Sequence, residues 1–302
     1  MTSNYSFKSL KRSLPLLILM LPALATTILF DYVTLYGIQI AFRMFRVREG
    51  IWGSEWVGLD HFIRFVRHPN FFMMLRNTLN ITVYTLALFP LTVIVALMIN
   101  EIRSLRYKKV VQMVSYAPHF LSVVVIVSMI NLFLARPTGL FNNVLYMING
   151  TRIDFMSNPS AFPHIFVWSG VWQSIGFGTI IYLAALAGVS PELVDAAKID
   201  GANKLQIIRH VNIPAILPTV VILFILATGG VLSLGAERII LMQNPLNRPG
   251  SEVFGTYIFT RGILGGEFSY TTAISVFNSA VNLVVILIVN KIASKVSGIG
   301  VW

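Results

Sequence analysis

The chain has 302 residues, of which 56% are hydrophobic and 12% are charged, and its mean hydropathy is +0.75. A soluble core of this length needs far less apolar surface, so the composition predicts a polytopic membrane protein. The formal net charge is +11, but the basic residues are scattered through the connectors, which favours anionic lipid over nucleic acid as a partner. Cysteine is absent, which excludes thiol catalysis, disulfides and cysteine metal sites.

Six apolar segments are long enough to cross a membrane as helices, since a span needs about 20 residues. They are residues 14–40, 77–99, 110–135, 163–188, 214–236 and 269–290. The first contains Ala23-Leu24-Ala25, which imitates a signal-peptidase site, but its apolar run continues and we expect a retained span. We expect Pro90 and Pro118 to kink the second and third spans. The predicted fold is all-α, with six transmembrane helices in a single domain over residues 1–302.

Three connectors are long enough to have a structure of their own. In residues 43–76, Leu59, Phe62, Ile63 and Val66 recur at helical spacing, which predicts an amphipathic helix on the outer membrane face. The connectors 136–162 and 237–268 are rich in Gly, Pro and Asn, so we expect them to contain little regular structure.

A polar stretch at residues 189–213 separates two apolar runs and contains several helix signals. Ser190 can cap a helix, and Pro191 suits its first position. Gly201 fits the left-handed residue that ends this helix, and Asn203 can cap a second one. We therefore expect two short helices joined at a glycine, with small and acidic residues on the first that suit docking into a groove of another protein.

The motif in this stretch resembles the EAA loop of ABC-importer permeases, whose pattern is EAA, three residues, G, nine residues, I-x-L-P. The chain has Asp195-Ala196-Ala197, then Gly201, then Val211-x-Ile213-Pro214 at the same spacings, and each of its three departures keeps the chemical character of the residue replaced. The resemblance implies a type I ABC-importer permease fold and a cytoplasmic coupling loop held in a cleft of an ATPase subunit. The coupling residues that it implies are Asp195, Ala196, Ala197, Asp200, Gly201 and Pro214.

Other segments are similar to the LplB-like branch of carbohydrate permeases. They are residues 36–42, Trp56-Val57-Gly58-Leu59 with Phe62, Asn77-Thr78-Leu79, Asn290 after the last span, and the final Val301-Trp302. This resemblance implies import of a complex oligosaccharide delivered by an extracellular or periplasmic solute-binding protein. It also implies a second permease subunit, as a heterodimer, and two ATPase subunits. A permease of the same architecture for amino acids or phosphate remains an alternative.

The sequence lacks a Gly-x4-Gly-Lys-Ser/Thr phosphate loop, and no Gly-Lys pair occurs in it. We therefore expect a non-catalytic subunit whose partner ATPases bind the ATP and magnesium. We expect no cofactor or metal in this chain, because its five histidines show no close pairing. An ion-coupled secondary transporter is a weaker alternative, since Asp31 is the only acid within a predicted span.

Polar residues within spans are candidates for a substrate pathway, because they are costly in hydrocarbon and tend to face a cavity. Trp172 and Gln173 offer an aromatic surface and an amide for a sugar, although an interfacial aromatic belt explains Trp172 equally well. We expect Gly176 and Gly178 to loosen this helix. The other candidates are Glu237 after the glycine-rich segment 229–235, and Asn278 with Asn282 on one face of the last span, for which helix packing and interhelical hydrogen bonds are the alternatives.

The distribution of basic residues predicts the orientation. All eight lysines lie on one side of the predicted spans, and eleven of the fifteen arginines lie on the other. The sum of Lys and Arg is 12 on the first side and 11 on the other, which does not decide the orientation, but the resemblance implies a cytoplasmic loop at residues 189–213, on the lysine side. We therefore assign the lysine side to the cytoplasm of a bacterium, with both termini inside. The outer connectors then have eleven arginines and seven acids, which favours an acidic oligosaccharide as cargo. An acidic binding protein or lipid headgroups would explain the arginines equally well.

Overall fold

The computed structural model describes residues 7–230, 234–298 and 300, and the prediction of an all-α membrane protein is confirmed, with one small β-hairpin in addition. The first elements are α1 Phe7–Thr27 with its continuation Ile28–Phe42, β1 Arg43–Arg46, α2 Gly50–Gly53, β2 Ser54–Trp56 and α3 Asp60–Val66. The middle elements are α4 Phe71–Ala87, α5 Phe89–Asn100, α6 Leu105–Tyr116 with the 3-10 turn Ala117–Phe120, α7 Val123–Leu134, α8 Leu140–Asn149 and α9 Phe162–Ala187. The last are α10 Pro191–Ile199, α11 Lys204–Ile207, α12 Ile213–Gly229, α13 Ala236–Met242, α14 Arg248–Ser251, α15 Phe254–Ile258 and α16 Phe268–Ser297.

The helices supply up to six membrane spans. Five helical segments in the described residues are long and apolar enough, namely Leu14–Phe42, Phe71–Asn100, Phe162–Ala187, Lys204–Gly229 and Phe268–Lys295. The sixth is a pair, Leu105–Phe120 and Val123–Leu134, whose axes differ by 99°. The fold class predicted from the sequence is therefore confirmed.

Two of the predicted segments have a different form from the one expected. Residues 110–135 are not one helix, because Pro118 lies in a 3-10 turn and Ser122 begins a new helix by accepting a hydrogen bond from the Val125 amide. The predicted span 214–236 ends at Gly229, and part of the glycine-rich segment, residues 231–233, lies outside the described residues. The second span is interrupted at Leu88, just before Pro90, as expected.

The described residues divide into two compact units, and the single domain expected from the sequence stays a prediction. The first unit comprises Met1–Arg67 and Arg261–Phe277. Its antiparallel hairpin pairs Arg43 with Trp56. The predicted amphipathic helix is present as α3, which buries Phe65 against the ring of Tyr270 and leaves the apolar Ile63 exposed. The sequence analysis did not predict this β-hairpin.

The second unit comprises His68–Thr260 and Asn278–Trp302. Its main core joins α4, α7, α9, α13 and the segment after α14. The buried core residues are Ile81, Val127, Phe162, Phe166, Val167, Ile239, Met242 and Val253. The short helix α13 and the long helix α9 both contribute residues to this core, and both border the cleft described below.

The expectation that the connectors 136–162 and 237–268 contain little regular structure is wrong. They contain α8, α13, α14 and α15. Their Asn and Gly residues end and cross-link short helices: Gly150 has φ +68° at the end of α8, and the buried Asn142 amide donates to the carbonyl of Leu134 at 3.0 Å. The buried Asn247 amide likewise donates to the Met156 and Met242 carbonyls. Residues that are typical of loops here satisfy the free backbone groups at helix ends.

Candidate functional site

The polar stretch folds as the predicted pair of short helices. The Ser190 hydroxyl accepts from the Glu192 amide at 3.2 Å, and α10 follows with Pro191 in its first turn. Gly201 has φ +80°, a left-handed conformation that favours glycine. Asn203 and Gln206 then form a reciprocal capping box, with bonds of 3.0 and 2.7 Å. The local structure of this hairpin is therefore confirmed.

The tip of the hairpin is exposed and partly apolar. Ile199 is 87% exposed and Leu205 is 74% exposed. A shallow depression of about 290 Å³ lies beside them, lined by Ala197, Asp200, Gly201, Ala202, Gln206, His210 and Val211. Such an apolar surface beside a single acid, Asp200, is typical of a site that docks into the groove of a partner protein. The sequence did not single out Leu205 as a contact residue.

Only some of the residues that the resemblance assigned to coupling lie around this depression. Ala197, Asp200 and Gly201 line the depression. Asp195 lies outside it, with its carboxylate 2.8 Å from the Lys198 ammonium, and Ala196 is exposed on the same helix. Pro214 is exposed in the first turn of α12 and does not line the depression.

The base of the hairpin is packed firmly on the spans. Ile216 of α12 is fully buried, and it packs in one cluster with Leu97 of α5 and Leu186 of α9. Ile208, in the π-helical turn after α11, packs against the same cluster. On the other side, the Lys204 ammonium lies 3.9 Å from the carboxylate of Glu101 after α5. The base of the hairpin therefore shares a buried apolar cluster with residues of three spans.

The second feature is a cleft of about 530 Å³ within the same unit. It is bordered by the end of α4, by α5, by the turn after α6, by α9 and by α13. Its polar lining residues are Thr85, Thr92, His119, Gln173, Ser174 and Arg238, and its aromatic ones are Phe89 and Phe166. Its size and its mixture of apolar walls with a few polar groups are typical of ligand sites.

Arg238 and Gln173 define the polar centre of the cleft. The Arg238 guanidinium donates from Nη2 to Oε1 of Gln173. The Gln173 amide donates in turn to the Leu121 carbonyl at 3.1 Å, at the break of the bent span. Burial lowers the pKa of the Arg238 guanidinium from its usual value, but an arginine remains a cation in a protein. The cleft therefore contains a fixed positive charge.

The pathway residues proposed from the sequence have different positions. Gln173 lines the cleft, but Trp172 does not, and 46% of its surface is exposed. Glu237 is exposed and does not line the cleft, whereas its neighbour Arg238 does. Asn278 is buried in α16 and Asn282 is half-buried there, and neither lines this cleft. Arg238 is thus a pathway candidate that the sequence did not identify, although it lies next to one that was named.

The glycines of α9 have a packing role. The helix is continuous from Phe162 to Ala187, so the expectation that Gly176 and Gly178 loosen it is wrong. A Cβ atom at Gly176 would overlap the backbone carbonyl of Ser115 in α6, and one at Gly178 would lie 3.0 Å from Cγ2 of Thr92. These glycines allow close approach of neighbouring spans, as small residues commonly do in membrane proteins.

A membrane chain with up to six spans, a charged cleft and an exposed helical hairpin has the features of a solute-transport subunit. The chain belongs to the family described as binding-protein-dependent transport system inner membrane component, whose model matches residues 75–298. The resemblance to ABC-importer permeases is therefore confirmed.

Individual relatives cover nearly the whole chain. The polygalacturonan/rhamnogalacturonan transport system permease protein YteP of Bacillus subtilis (strain 168) is 41% identical over 288 residues, which are 95% of this chain and 90% of the relative. The protein LplB of the same organism is 40% identical over 95% of this chain and 91% of its own. A crystal structure of a bacterial alginate ABC transporter, in complex with an alginate pentasaccharide-bound periplasmic protein, contains a chain with a TM-score of 0.88 and 34% identity, covering 98% of this chain and 99% of that one.

Proposed function

We propose that this chain is a transmembrane permease subunit of an ATP-driven ABC importer, and that it carries an oligosaccharide across the bacterial cytoplasmic membrane. The observation that carries the proposal is the hairpin of α10 and α11, whose tip is exposed and apolar while its base is packed on the spans. Membership of the inner-membrane-component family supports it, as do relatives named for polygalacturonan, rhamnogalacturonan and alginate. The hairpin is the part that an ATPase would move.

The chain acts as the non-catalytic part of an assembly. Two partner ATPases bind the ATP and magnesium, since the sequence has no phosphate-binding loop. A second permease completes the pathway as a heterodimer, and a solute-binding protein delivers the sugar from outside. A relative crystallised with a sugar-loaded periplasmic protein supports the last of these partners.

The decisive experiment is transport by the reconstituted assembly. We expect vesicles containing the two permeases and two ATPases to accumulate labelled oligosaccharide only when ATP and the loaded binding protein are both present. Accumulation driven by an ion gradient without ATP would instead identify a secondary transporter. ATP-dependent accumulation of an amino acid or phosphate, with no sugar uptake, would identify the alternative cargo classes.

The orientation is a further proposal, with both termini and the hairpin in the cytoplasm. It can be tested with single cysteines, because the chain has none to remove. We expect an impermeant maleimide added outside intact cells to label Ile148→Cys and Leu246→Cys but not Leu205→Cys. These three positions are 78%, 67% and 74% exposed.

The choice of positions and the control follow from the structure. Two nearby positions are not suitable for a cysteine. At Gly250 a Cβ atom would overlap the Pro159 carbonyl, and Asn203 is needed for its capping box. Permeabilised cells that lack the partner ATPases should label Leu205→Cys, which shows that the thiol is reactive. Labelling of Leu205→Cys from outside intact cells would reverse the proposed orientation.

A further inference from the structure

We propose that Arg238 binds a carboxylate of the transported oligosaccharide in the cleft between α9 and α13, and that the cargo therefore contains uronic or other acidic sugar residues. The inference rests on the proposed function, and it adds a charge requirement and a specific residue to it. It depends on the charge pairing of the arginines, on the way the guanidinium is held, and on the shape of the cleft.

Arg238 differs from the other arginines of the outer connectors. Within the described residues, four of the eleven are within 4.0 Å of a carboxylate, namely Arg46, Arg64, Arg248 and Arg261. All others except Arg43 and Arg238 are exposed, and Arg43 donates to the Ser54 carbonyl at 2.8 Å. Arg238 is half-buried, and all twelve acidic side chains lie in the described residues, yet none forms an ion pair with it there.

An uncompensated cation in such a position is costly. Removing a charge from water without an opposite charge costs free energy that a neutral hydrogen-bond partner only partly offsets. Gln173, the partner of Arg238, is neutral. The arrangement therefore favours the arrival of an anion, which would restore the lost interactions.

The guanidinium is held in a direction that leaves donors available. Gln173 accepts from Nη2, and its own amide group is fixed by the Leu121 carbonyl. Gly170 provides the space, because a Cβ atom there would lie 3.0 Å from Nη1 of Arg238. Within the described part of the chain, Nε and Nη1 make no hydrogen bond, and Nη2 has a second proton besides the one donated to Gln173. A carboxylate can therefore bind through two parallel bonds, to Nη2 and to one of its neighbouring nitrogens.

The rest of the cleft suits a sugar ring. Phe89 and Phe166 line it, and the guanidinium carbon of Arg238 lies 5.9 Å from the centre of the Phe166 ring. His119 lines it as well and stacks on Phe177, with ring centres 3.9 Å apart. Aromatic faces can pack on the C–H faces of sugars while a polar group fixes the orientation. A carboxylate at C6 would then lie at the edge of the stacked ring, where a guanidinium can reach it.

The test compares each acidic cargo with its neutral counterpart. The complete assembly is reconstituted in vesicles, and ATP-dependent uptake is measured for oligogalacturonate, oligomannuronate and their carboxyl-reduced forms, each on the same binding protein. We expect the wild type to prefer an acidic form. Arg238→Gln, which keeps a donor for Gln173, should lower acidic uptake by about tenfold relative to the reduced form.

A second variant and a matched control make the result independent of folding losses. Arg238→Lys keeps the charge but not the fork, so it should show an intermediate preference. Arg136→Gln changes an exposed arginine outside the cleft and should leave the preference unchanged. An equal loss of acidic and reduced uptake in Arg238→Gln, or an unaltered preference in Arg238→Lys, would overturn the proposal.

The remaining outcomes separate this inference from the proposed function. Equal uptake of acidic and reduced forms by the wild type would refute the acidic cargo and leave the importer intact. No ATP-dependent uptake of any oligosaccharide would contradict the proposed function itself. A lipid phosphate could bind to the same guanidinium. If the preference for acidic cargo were lost in vesicles without anionic lipid, Arg238 would be assigned to lipid binding, and its proposed role toward the cargo would be overturned.

Discussion

Asp195→Lys is expected to abolish substrate-stimulated ATP hydrolysis and uptake by the assembled transporter, with uptake falling about tenfold or more. In the structure the Asp195 side chain is 65% exposed and its carboxylate pairs with Lys198 at 2.8 Å. The substitution replaces this pair by two adjacent cations on the exposed face of α10. Like charges at this spacing repel each other, and an ATPase groove that receives the Asp195 side of α10 would meet a cation in place of a carboxylate.

Gly201→Ala tests the same hairpin through its backbone. No heavy atom lies within 4 Å of the position that a Cβ would occupy, so the cost arises from φ +80° alone. An alanine in this conformation costs about 1 kcal/mol, which would tilt α11 relative to α10. We expect reduced coupling, with smaller losses than for Asp195→Lys.

Matched controls are available for both changes. Glu55→Lys makes a similar charge reversal at an exposed residue of β2, and Gly37→Ala adds a methyl group at a glycine with no heavy atom nearby and no positive φ. Both should couple normally. Co-purification of the ATPases with each variant distinguishes lost docking from lost transmission. Normal uptake in Asp195→Lys and Gly201→Ala would show that neither residue takes part in coupling.

Gly176→Ala is expected to destabilise the chain by about 1–3 kcal/mol. A Cβ atom at this buried position would overlap the Ser115 backbone carbonyl, so α6 and α9 would have to move apart. A side chain can change rotamer, but a helix backbone cannot yield locally without losing packing along its length. The same displacement would shift Gln173, which lies one turn earlier on α9 and is bonded to Leu121.

Thermal unfolding of the purified chain in detergent measures this effect. Gly188→Ala, just after the end of the same helix, is the control, because its Cβ would lie 3.4 Å from the Ala185 carbonyl oxygen, an ordinary contact distance. We expect a lower melting temperature for Gly176→Ala than for Gly188→Ala. Equal melting temperatures would show that the two helices separate at little cost.

The sequence by itself determined the features that depend on neighbouring residues or on hydropathy. The spans follow from the need of about 20 apolar residues to cross a bilayer. The hairpin follows from Ser190, Gly201 and Asn203, because caps and left-handed glycines act within one helical turn. These signals are local, so no tertiary contact was needed to interpret them.

The tertiary structure alone decided the features that depend on distant residues. At the break of the bent span the Leu121 carbonyl accepts from Gln173, 52 positions away, and the outer connectors are joined by the Asn247 amide, which donates to the Met156 carbonyl, 91 positions away. The tight contact at Gly176 requires the backbone of another span.

The cleft shows the same difference between local and tertiary information at two neighbouring residues, Glu237 and Arg238. The sequence favoured Glu237 because it follows the glycine-rich segment 229–235, but adjacent residues on a helix point about 100° apart. Only the packing of α13 in the main core, which includes Ile239 of α13 and Phe166 of α9, places Arg238 rather than Glu237 toward Gln173. Which of two neighbouring charges enters the cleft depends on the rotation of a short helix about its axis. That rotation is set by contacts between residues more than 60 positions apart in the chain, which no local pattern encodes.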